Sequence, residues 1–563
     1  MSSPIRYFFV LMLENHSFDH MLGFADITGT DAVTGKSTRA NGLPRKEISL
    51  LQVVQRASTT KLSQLVNKEG CASVKRPLSI YEMLQSNVYG DKLFPANQPA
   101  GFAMPVDPNH EFPDVLEQLC GPGSTYSSSR PFPPMTNSGF IASYMASPMP
   151  DDASRGPEPG QIMQCLSPDQ VPVITQLARE FVVCDNWHAS MPGPTIPNRL
   201  FAYGASSGGL DNSPSGLQIA AWCTFDGFSF ANGSIWDRLS SANINWRIYG
   251  GDYYTTQILA NVDTFCFYSQ FASDLANPGY PEGYTFIEPF YDPFNDYICG
   301  ASQHPLNDIT RGETLIKATY EAIRNSPVWE SSMLLITWDE HGGFYDHVAP
   351  PAAVAPGDAP EDDDINQYGF TFEQYGVRVP AVVVSPLIPK NLVDHRLYDH
   401  SSIPATLEGI YNLPPLTHRD AQANKLMALV SLSKPRTDTP THLVEPSVSG
   451  ITGTGCDAVM ALYEDEFKVA QALERAGSVA PITEKPIGTA HSLSNISPPA
   501  VSKLSRPADP IAGNLPCFLF GALKHELKGA SPDQRQKSLA NFKTLKTRQD
   551  AFAYVQRVLG RTP

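Results

Sequence analysis

Ile5-Arg6-Tyr7-Phe8-Phe9-Val10-Leu11-Met12-Leu13 is an almost continuous apolar run, and Glu14-Asn15-His16 follows it directly. The run is too short to cross a bilayer, and its length and residue types predict a buried strand of a parallel sheet. A signal peptide would carry a basic segment before the run and small residues after it, and both are missing here. We therefore expect a cytoplasmic protein by default, with non-classical export as the alternative.

Apolar runs of this kind alternate with helical patterns as far as about residue 425. Apolar residues at helical spacing predict helices over residues 171–180, 314–325 and 401–411. Strands are predicted at residues 181–184, 333–338 and 379–384. Buried strands that alternate with helices predict an α/β layered fold, in which a largely parallel central sheet is flanked by helices. In such sheets, functional sites gather at the carboxyl ends of the strands.

The chain has 563 residues, which fits one large α/β domain with an appendage. We assign residues 1–430 to the main domain, which two long inserts interrupt. Residues 24–105 lack clear periodicity and are predicted to wrap the surface. Residues 263–299 are dense in aromatic side chains. This aromatic insert is interpreted either as a satellite core under a long loop, or as an apolar wall beside the site or a lipid-contacting surface.

Beyond residue 430 the composition changes. Residues 431–455 are rich in Ser, Thr, Pro and Gly and are predicted to be a linker. Residues 456–563 are predicted to form a mainly helical appendage, with a first helix at 456–476 and a basic final helix that starts at Ser531-Pro532. From residue 501 onward there are eleven Lys and Arg residues against four Asp and Glu. We expect this basic end to dock on the acidic body, with an anionic surface as the alternative.

The net charge of the whole chain is −16, from 41 basic and 57 acidic residues. Nucleic acid is therefore not an expected partner, because phosphate backbones need a basic face. The nine cysteines include no CxxC pair, which excludes a zinc ribbon and a dithiol redox motif. The sequence leaves the oligomeric state open.

Three polar clusters follow strand-like runs, at residues 14–20, 190–199 and 339–347. The first and third clusters begin with Glu14, Asn15, Asp339 and Glu340. These residues offer three carboxylates and one amide oxygen, which are ligands suited to a hard divalent cation.

The second cluster contains Thr195, which lies between Pro194 and Pro197. A threonine hydroxyl that binds a metal loses its proton more easily and becomes a nucleophile. Arg199 can stabilise a phosphoryl or sulfuryl oxyanion, or it can anchor the turn by ion pairing. The residue types thus indicate metal-assisted chemistry on an ester of phosphorus or sulfur.

The three clusters also carry a resemblance to a known family. Their motifs are Glu-Asn-His-Ser-Phe-Asp-His at residues 14–20, Pro-Gly-Pro-Thr-Ile-Pro-Asn-Arg at 192–199 and Asp-Glu-His-Gly-Gly-Phe-Tyr-Asp-His-Val at 339–348. They resemble motifs of the phosphoesterase family that holds bacterial phosphatidylcholine phospholipases C, plant non-specific phospholipases C and related acid phosphatases. The resemblance spans roughly residues 5–425 and implies an alkaline-phosphatase-like fold. It does not extend beyond residue 430.

This resemblance implies a site with one metal ion. Its ligands would be Glu14, Asn15, Asp339 and Glu340, together with Thr195, which would also be the nucleophile. The ligand oxygens suit Ca²⁺, Mg²⁺ or Mn²⁺, and the resemblance to phospholipases keeps Zn²⁺ open.

The resemblance further implies that His110 and His304 line the phosphate pocket and act in catalysis, with Arg199 as another catalytic candidate. Other residues are expected to surround the site or to contact the substrate: His341, Asp346, His347, His400, Asp308 and Asn198.

The implied reaction is the hydrolysis of a glycerophospholipid, such as phosphatidylcholine, to diacylglycerol and a phosphorylated head group. It would pass through a phosphothreonine at Thr195, and a threonine nucleophile favours diesters in this family. An acid phosphatase that acts on phosphomonoesters is the first alternative, and a catalytically silent lipid-binding protein is an alternative of another class. The expected substrate partner is a phospholipid or other phosphate ester. Contact with the membrane surface that holds such a lipid is also expected.

Overall fold

The structure is a computed structural model that describes residues 3–43, 85–149, 156–215, 218–219, 222, 227–251, 255–262, 265–292, 297–358, 365–451, 519, 532–542 and 544–558. Its strands, in chain order, are β1 (Tyr7–Leu13), β2 (Thr28–Asp31), β3 (Ser37–Arg39), β4 (Ser86–Tyr89), β5 (Lys92–Pro95), β6 (Val182–Cys184), β7 (Trp187–His188), β8 (Asn245–Gly250), β9 (Cys266–Phe267), β10 (Gly283–Glu288), β11 (Ser332–Trp338), β12 (Ala381–Val384), β13 (Leu392–Asp394) and β14 (Tyr398–Asp399).

Ten of these strands form the central sheet, in the order β3-β2-β13-β6-β12-β11-β1-β10-β8-β9. Strand β1 lies inside the sheet, with β10 on one side and β11 on the other, and both pairings are parallel. All side chains of β1 are buried, because both faces of a parallel sheet are covered. This position explains why the opening run of the chain is apolar without alternation.

Most strands of the sheet run in one direction. Only β12 and β3 run antiparallel to their neighbours. The prediction of an α/β fold with a largely parallel sheet is confirmed. Because β1, β6, β10, β11 and β13 point the same way, their carboxyl ends meet at one edge of the sheet.

The helices that the structure describes are α1 (Phe18–Leu22), α2 (Phe112–Cys120), α3 (Phe140–Met145), α4 (Pro172–Glu180), α5 (Thr195–Gly204), α6 (Ile235–Ser241), α7 (Phe271–Leu275), α8 (Ile309–Arg324), α9 (Ser402–Tyr411), α10 (His418–Gln422), α11 (Pro532–Phe542) and α12 (Arg548–Val558). The helices predicted in the main domain are confirmed as α4, α8 and α9. Helix α8 begins earlier than predicted, because the Asp308 side chain caps it by accepting from the Thr310 N–H.

The interpretation of residues 263–299 as a satellite core under a long loop was wrong, because strand β10 of this segment pairs directly with β1 inside the central sheet. Its large rings, including Phe271, Tyr280 and Phe286, are buried in the main hydrophobic core. Most of the described aromatic residues of the segment thus lie inside the fold. The alternatives of an apolar wall beside the site and of a lipid-contacting surface stay predictions.

The prediction for residues 24–105 was wrong at their beginning. Strands β2 and β3 form one edge of the central sheet, where β2 pairs with β13. Strands β4 and β5 form a separate hairpin. The polar edge strands alternate between exposed and half-buried residues, so they give no apolar run.

The described part of the predicted linker, residues 431–451, is irregular and lies against α8. The Tyr320 hydroxyl donates to the Pro440 carbonyl (2.6 Å), and Lys317 Nζ donates to the Leu443 carbonyl (2.7 Å). Leu443 is buried in the core. This segment is therefore attached to the main domain along its length.

The final helix of the prediction is two helices, α11 and α12, separated by a turn. Ala551 and Tyr554 of α12 are buried and belong to the same hydrophobic cluster as the central sheet, in agreement with docking on the body. The predicted helix at 456–476 lies outside the described residues. In the part of the chain that the structure describes, no helix is long and apolar enough to span a bilayer.

Glu313 on α8 is a buried carboxyl group in the core. It accepts hydrogen bonds from the backbone N–H groups of Val173 (2.6 Å) and Ile174 (3.1 Å), in the first turn of α4. Burial raises the pKa of Glu313 from its usual 4.5 to about 8. Because the unfolded chain ionises this group near pH 4.5, the folded state loses stability as the pH rises from there to about 8.

We expect Glu313→Gln to gain stability relative to the wild type as the pH rises, since glutamine cannot ionise. Thermal melts at about pH 5 and about pH 8.5 test this, and the difference in Tm should move towards the variant by at least about 2 °C. A difference in Tm that does not change with pH would contradict the prediction.

Candidate active site

The site lies at the carboxyl ends of β1 and β11. Glu14 and Asn15 follow β1, and Asp339 and Glu340 follow β11. The register of the two parallel strands pairs Leu13 with Trp338, so the two dipeptides lie side by side. All four polar side chains are buried, and the Asn15 N–H donates to Asp339 Oδ1 (3.1 Å). The structure thus brings together the four ligands predicted from the sequence.

Tight turns make this approach possible. Asn15 has a φ of 55°, a left-handed conformation that asparagine tolerates better than most residues. Gly342 also has a positive φ, and a Cβ atom there would lie 2.3 Å from the Asn15 carbonyl oxygen. A glycine is therefore required where the loop after β11 passes the turn after β1.

Thr195 is the first residue of α5, and its hydroxyl faces the carboxylates. Asn198 holds the turn that presents it: Asn198 Oδ1 accepts from the Met191 N–H (3.1 Å), and Nδ2 donates to the carbonyls of Gly193 (2.9 Å) and Pro194 (3.1 Å). Asn198 therefore supports Thr195 through the backbone.

The Asn15 side chain marks the centre of the site. Its Nδ2 donates to Thr195 Oγ1 (3.0 Å), to Glu340 Oε1 and, at 3.5 Å, to Asp339 Oδ1. The positive end of the amide thus points into a group of oxygen atoms, while Asn15 Oδ1 and Glu14 Oε2 are buried with no hydrogen-bond partner among the described residues. Rotation of the amide by 180° would turn Oδ1 towards the same oxygens. This donor set fits a hard divalent cation.

Two of the three carboxyl groups of the site, Glu14 and Asp339, resist ionisation. Burial and the neighbouring Asp339 charge raise the pKa of Glu14 to about 8, and burial raises the pKa of Asp339 to about 6. Charged carboxylates this close together need a positive partner in a poorly solvated site. A bound cation would supply that charge.

Arg199 is one such partner, but it is fully buried behind the site. Its Nε donates to Asp339 Oδ2 (2.7 Å), and its Nη2 donates to the carbonyls of Met12 (3.4 Å) and Leu13 (3.2 Å). Of the two roles considered for Arg199, this geometry favours anchoring by ion pairing over contact with a substrate oxyanion.

His110 and His304 lie on the more open side. His110 Nε2 is 4.0 Å from Glu340 Oε1, and its Nδ1 bonds to the Pro108 carbonyl (2.7 Å). Burial alone would lower the pKa of His110, but the charge of Glu340 and its acidic neighbours raise it to about 10. His304 Nε2 is 3.6 Å from Asp107 Oδ2, and its ring stacks on Tyr297. The raised pKa of His110 means that its imidazole can carry a proton.

His341 and His400 hold the ligands rather than face the opening. His341 Nε2 bonds to Gln118 Oε1 (2.7 Å), and its Nδ1 lies 3.5 Å from Glu340 Oε2. His400 Nε2 bonds to the Asp339 carbonyl (2.6 Å), while its Nδ1 accepts from the Trp187 indole (3.3 Å). Burial lowers the pKa of His400 to about 4, so the ring is neutral at physiological pH.

Asp346 and His347 belong to a separate buried network. Arg378 pairs with Asp346 (3.0 Å) and Asp19 (3.0 Å), and His347 Nδ1 bonds to Asp19 Oδ2 (2.6 Å). The network joins α1 of the first motif to the loop of the third. Asp308, in turn, fixes the start of the helix that follows the His304 loop.

Two charged residues with a role here were missed in the sequence. Arg378 and Glu288 each stand in or beside an apolar strand run, Val377-Arg378-Val379 and Phe286-Ile287-Glu288. A charged residue inside or beside an apolar strand run is buried and therefore paired with an opposite charge. The sequence thus already indicated that both residues are paired. Their partners come from distant segments and could not be read from spacing.

Comparison with known proteins identifies the family of the chain. The sequence profile of the Phosphoesterase family matches residues 5–414. The chain belongs to the phosphoesterase family. It is an enzyme that hydrolyses phosphoric esters.

Relatives in this family include plant phospholipases. Non-specific phospholipase C6 of Arabidopsis thaliana is 33% identical over 484 residues, covering 82% of this chain and 79% of the relative. Non-specific phospholipase C3 of the same plant is 31% identical over 470 residues, covering 79% and 77%. Among solved structures, an alkaline phosphatase superfamily protein from Vibrio parahaemolyticus is similar at 10% identity with a TM-score of 0.30, covering 55% of this chain and 83% of that chain.

We expect Arg378→Met to lower the free energy of unfolding by about 3–5 kcal/mol, because it leaves Asp19 and Asp346 buried without their cation. Denaturant titration measures this. The matched control is Arg39→Met, since Arg39 pairs with Asp26 at the surface, and it should stay within about 1 kcal/mol of the wild type. Equal effects of the two substitutions would refute the structural role of Arg378.

Proposed function

We propose that this enzyme is a metal-dependent phospholipase C that releases diacylglycerol and a phosphorylated head group from phosphatidylcholine-like lipids. One observation carries the proposal: the hydroxyl of Thr195 lies in hydrogen-bond contact with Asn15, within the buried group of carboxylates. A nucleophile beside a cation-binding set of oxygens is the arrangement that attack on a phosphodiester needs. The names of the plant relatives support the same substrate class.

One divalent cation, held by Glu14, Asn15, Asp339, Glu340 and Thr195, would lower the pKa of the Thr195 hydroxyl and balance charge on the phosphoryl oxygens. The oxygen ligands favour Ca²⁺, Mg²⁺ or Mn²⁺, and Zn²⁺ stays a candidate.

The protein residues account for the remaining steps. Thr195 Oγ1, with its proton released to solvent, forms a bond to phosphorus as the bond to the glycerol oxygen breaks, and the head group remains on Thr195 as a phosphothreonine diester. His304 or His110 donates a proton to the departing glycerol oxygen. The same histidine then takes a proton from the water that releases the phosphorylated head group, and Thr195 Oγ1 regains a proton from solvent.

Hydrolysis of phosphomonoesters is the second candidate, because the same nucleophile and ligands can serve it. The silent lipid-binding alternative loses support, since the aromatic segment it relied on is buried.

We expect Thr195→Ala to lower turnover of phosphatidylcholine at least about 1,000-fold while cation binding persists, because four of the five ligands remain. Release of phosphocholine and calorimetric titration with a divalent cation measure the two properties. Thr314→Ala is the control, since the Thr314 hydroxyl donates to the Thr310 carbonyl within α8. A fully active Thr195→Ala enzyme would contradict the proposed mechanism.

Comparing the rates for two leaving groups shows which histidine is the general acid. We expect His304→Ala to slow hydrolysis of phosphatidylcholine by about 10²–10⁴-fold, and to slow a p-nitrophenyl diester much less, because p-nitrophenolate departs without a proton. His110→Ala, measured beside it, shows which histidine donates. If neither variant distinguishes the two substrates, neither histidine is the general acid.

A further inference from the structure

Glu288 ends β10, directly beside β1, and its side chain is fully buried. It is held by hydrogen bonds from the N–H and hydroxyl of Thr255 (2.8 and 2.6 Å), the N–H and hydroxyl of Thr256 (3.1 and 2.8 Å) and the hydroxyl of Tyr291 (2.7 Å). So many donors fix the side chain of Glu288 in one position. The end of a strand does not require so many hydrogen bonds to one side chain.

The remaining neighbour of Glu288 is the guanidinium that holds a predicted metal ligand. Arg199 Nη1 lies 3.7 Å from Glu288 Oε2, while Arg199 Nε donates to Asp339 Oδ2 (2.7 Å). Arg199 is thus placed between two buried carboxylates. Asp339 Oδ1 is turned away from Arg199 and accepts from the N–H groups of Asn15 (3.1 Å) and Glu340 (2.7 Å).

We propose that Glu288 is a positioning residue for the metal site and acts on Asp339 through Arg199. The carbonyls of Met12 and Leu13 hold Arg199 Nη2, so Arg199 makes a single hydrogen bond with Asp339. Glu288 attracts the opposite end of the guanidinium at Nη1, and much of the Asp339 charge stays available to a cation. Without the Glu288 carboxylate, more of the Arg199 charge would act on Asp339 and compete with the cation.

The proposal rests on the proposed function, because it assumes that Asp339 binds a cation. Residues that hold metal ligands in this way typically change metal affinity by about 10–100-fold when they are replaced. A purely structural Glu288 would instead change the stability of the protein and leave cation affinity unchanged.

The test is Mn²⁺ binding to the full-length, metal-stripped protein, followed by electron paramagnetic resonance and calorimetry. Glu288→Gln keeps the volume and one acceptor oxygen and removes the charge. We expect it to bind Mn²⁺ about 10–100-fold more weakly than the wild type. Glu313→Gln is the matched control, since Glu313 is another buried carboxyl whose hydrogen bonds, within the described residues, come from two backbone N–H groups of α4 and not from the predicted ligands. It should bind Mn²⁺ as the wild type does.

Tyr291→Phe covers the case in which Glu288→Gln does not fold. It removes one hydroxyl from Glu288 and should weaken Mn²⁺ binding in the same direction by a smaller factor. If the wild type binds Mn²⁺ and the folded variants bind it equally well, the role of Glu288 is overturned while the proposed function stands. If the wild type binds no Mn²⁺, the metal site of the proposed function fails, and the role of Glu288 fails with it.

Discussion

Three carboxyl groups, Glu14, Asp339 and Glu340, meet in the interior at the ends of two adjacent strands. Their mutual repulsion is the constraint on which the rest of the site depends, because buried like charges are costly unless positive groups balance them. Arg199 supplies one positive charge from behind, and His110 approaches Glu340 from the open side. The space between them is where a cation can complete the balance.

The sheet places these charges. Parallel pairing brings the ends of β1, β10 and β11 to one edge. Glu288 therefore lies next to the two pairs of predicted ligands, Glu14–Asn15 and Asp339–Glu340. Helix α5 then begins at this edge with Thr195. The Arg378 network performs a comparable task farther out, where it joins α1 to the loop that follows β11. The chemistry therefore depends on strand register as much as on the identity of the ligands.

Local features could be predicted well from the sequence. The uninterrupted apolar runs gave β1 and β11 correctly, because a strand buried on both faces needs no polar partner to be recognised. The four predicted ligands attracted attention because they directly follow those runs, and the structure places them side by side. Tertiary placement was harder, as residues 263–299 illustrate: aromatic density indicates burial but not which core it joins. Glu288 and Arg378 were not predicted, because their partners lie far away in the sequence. Pairing between residues so distant in sequence produces no recognisable residue spacing.

The most direct test is a titration of the metal-stripped protein with a divalent cation, with phosphorus NMR recording the hydrolysis of phosphatidylcholine micelles at each step. We predict no turnover without the cation and phosphocholine as the phosphorus-containing product. Activity should reach its plateau at one cation per chain. Full activity in the presence of chelator, or free phosphate in place of phosphocholine, would contradict these predictions.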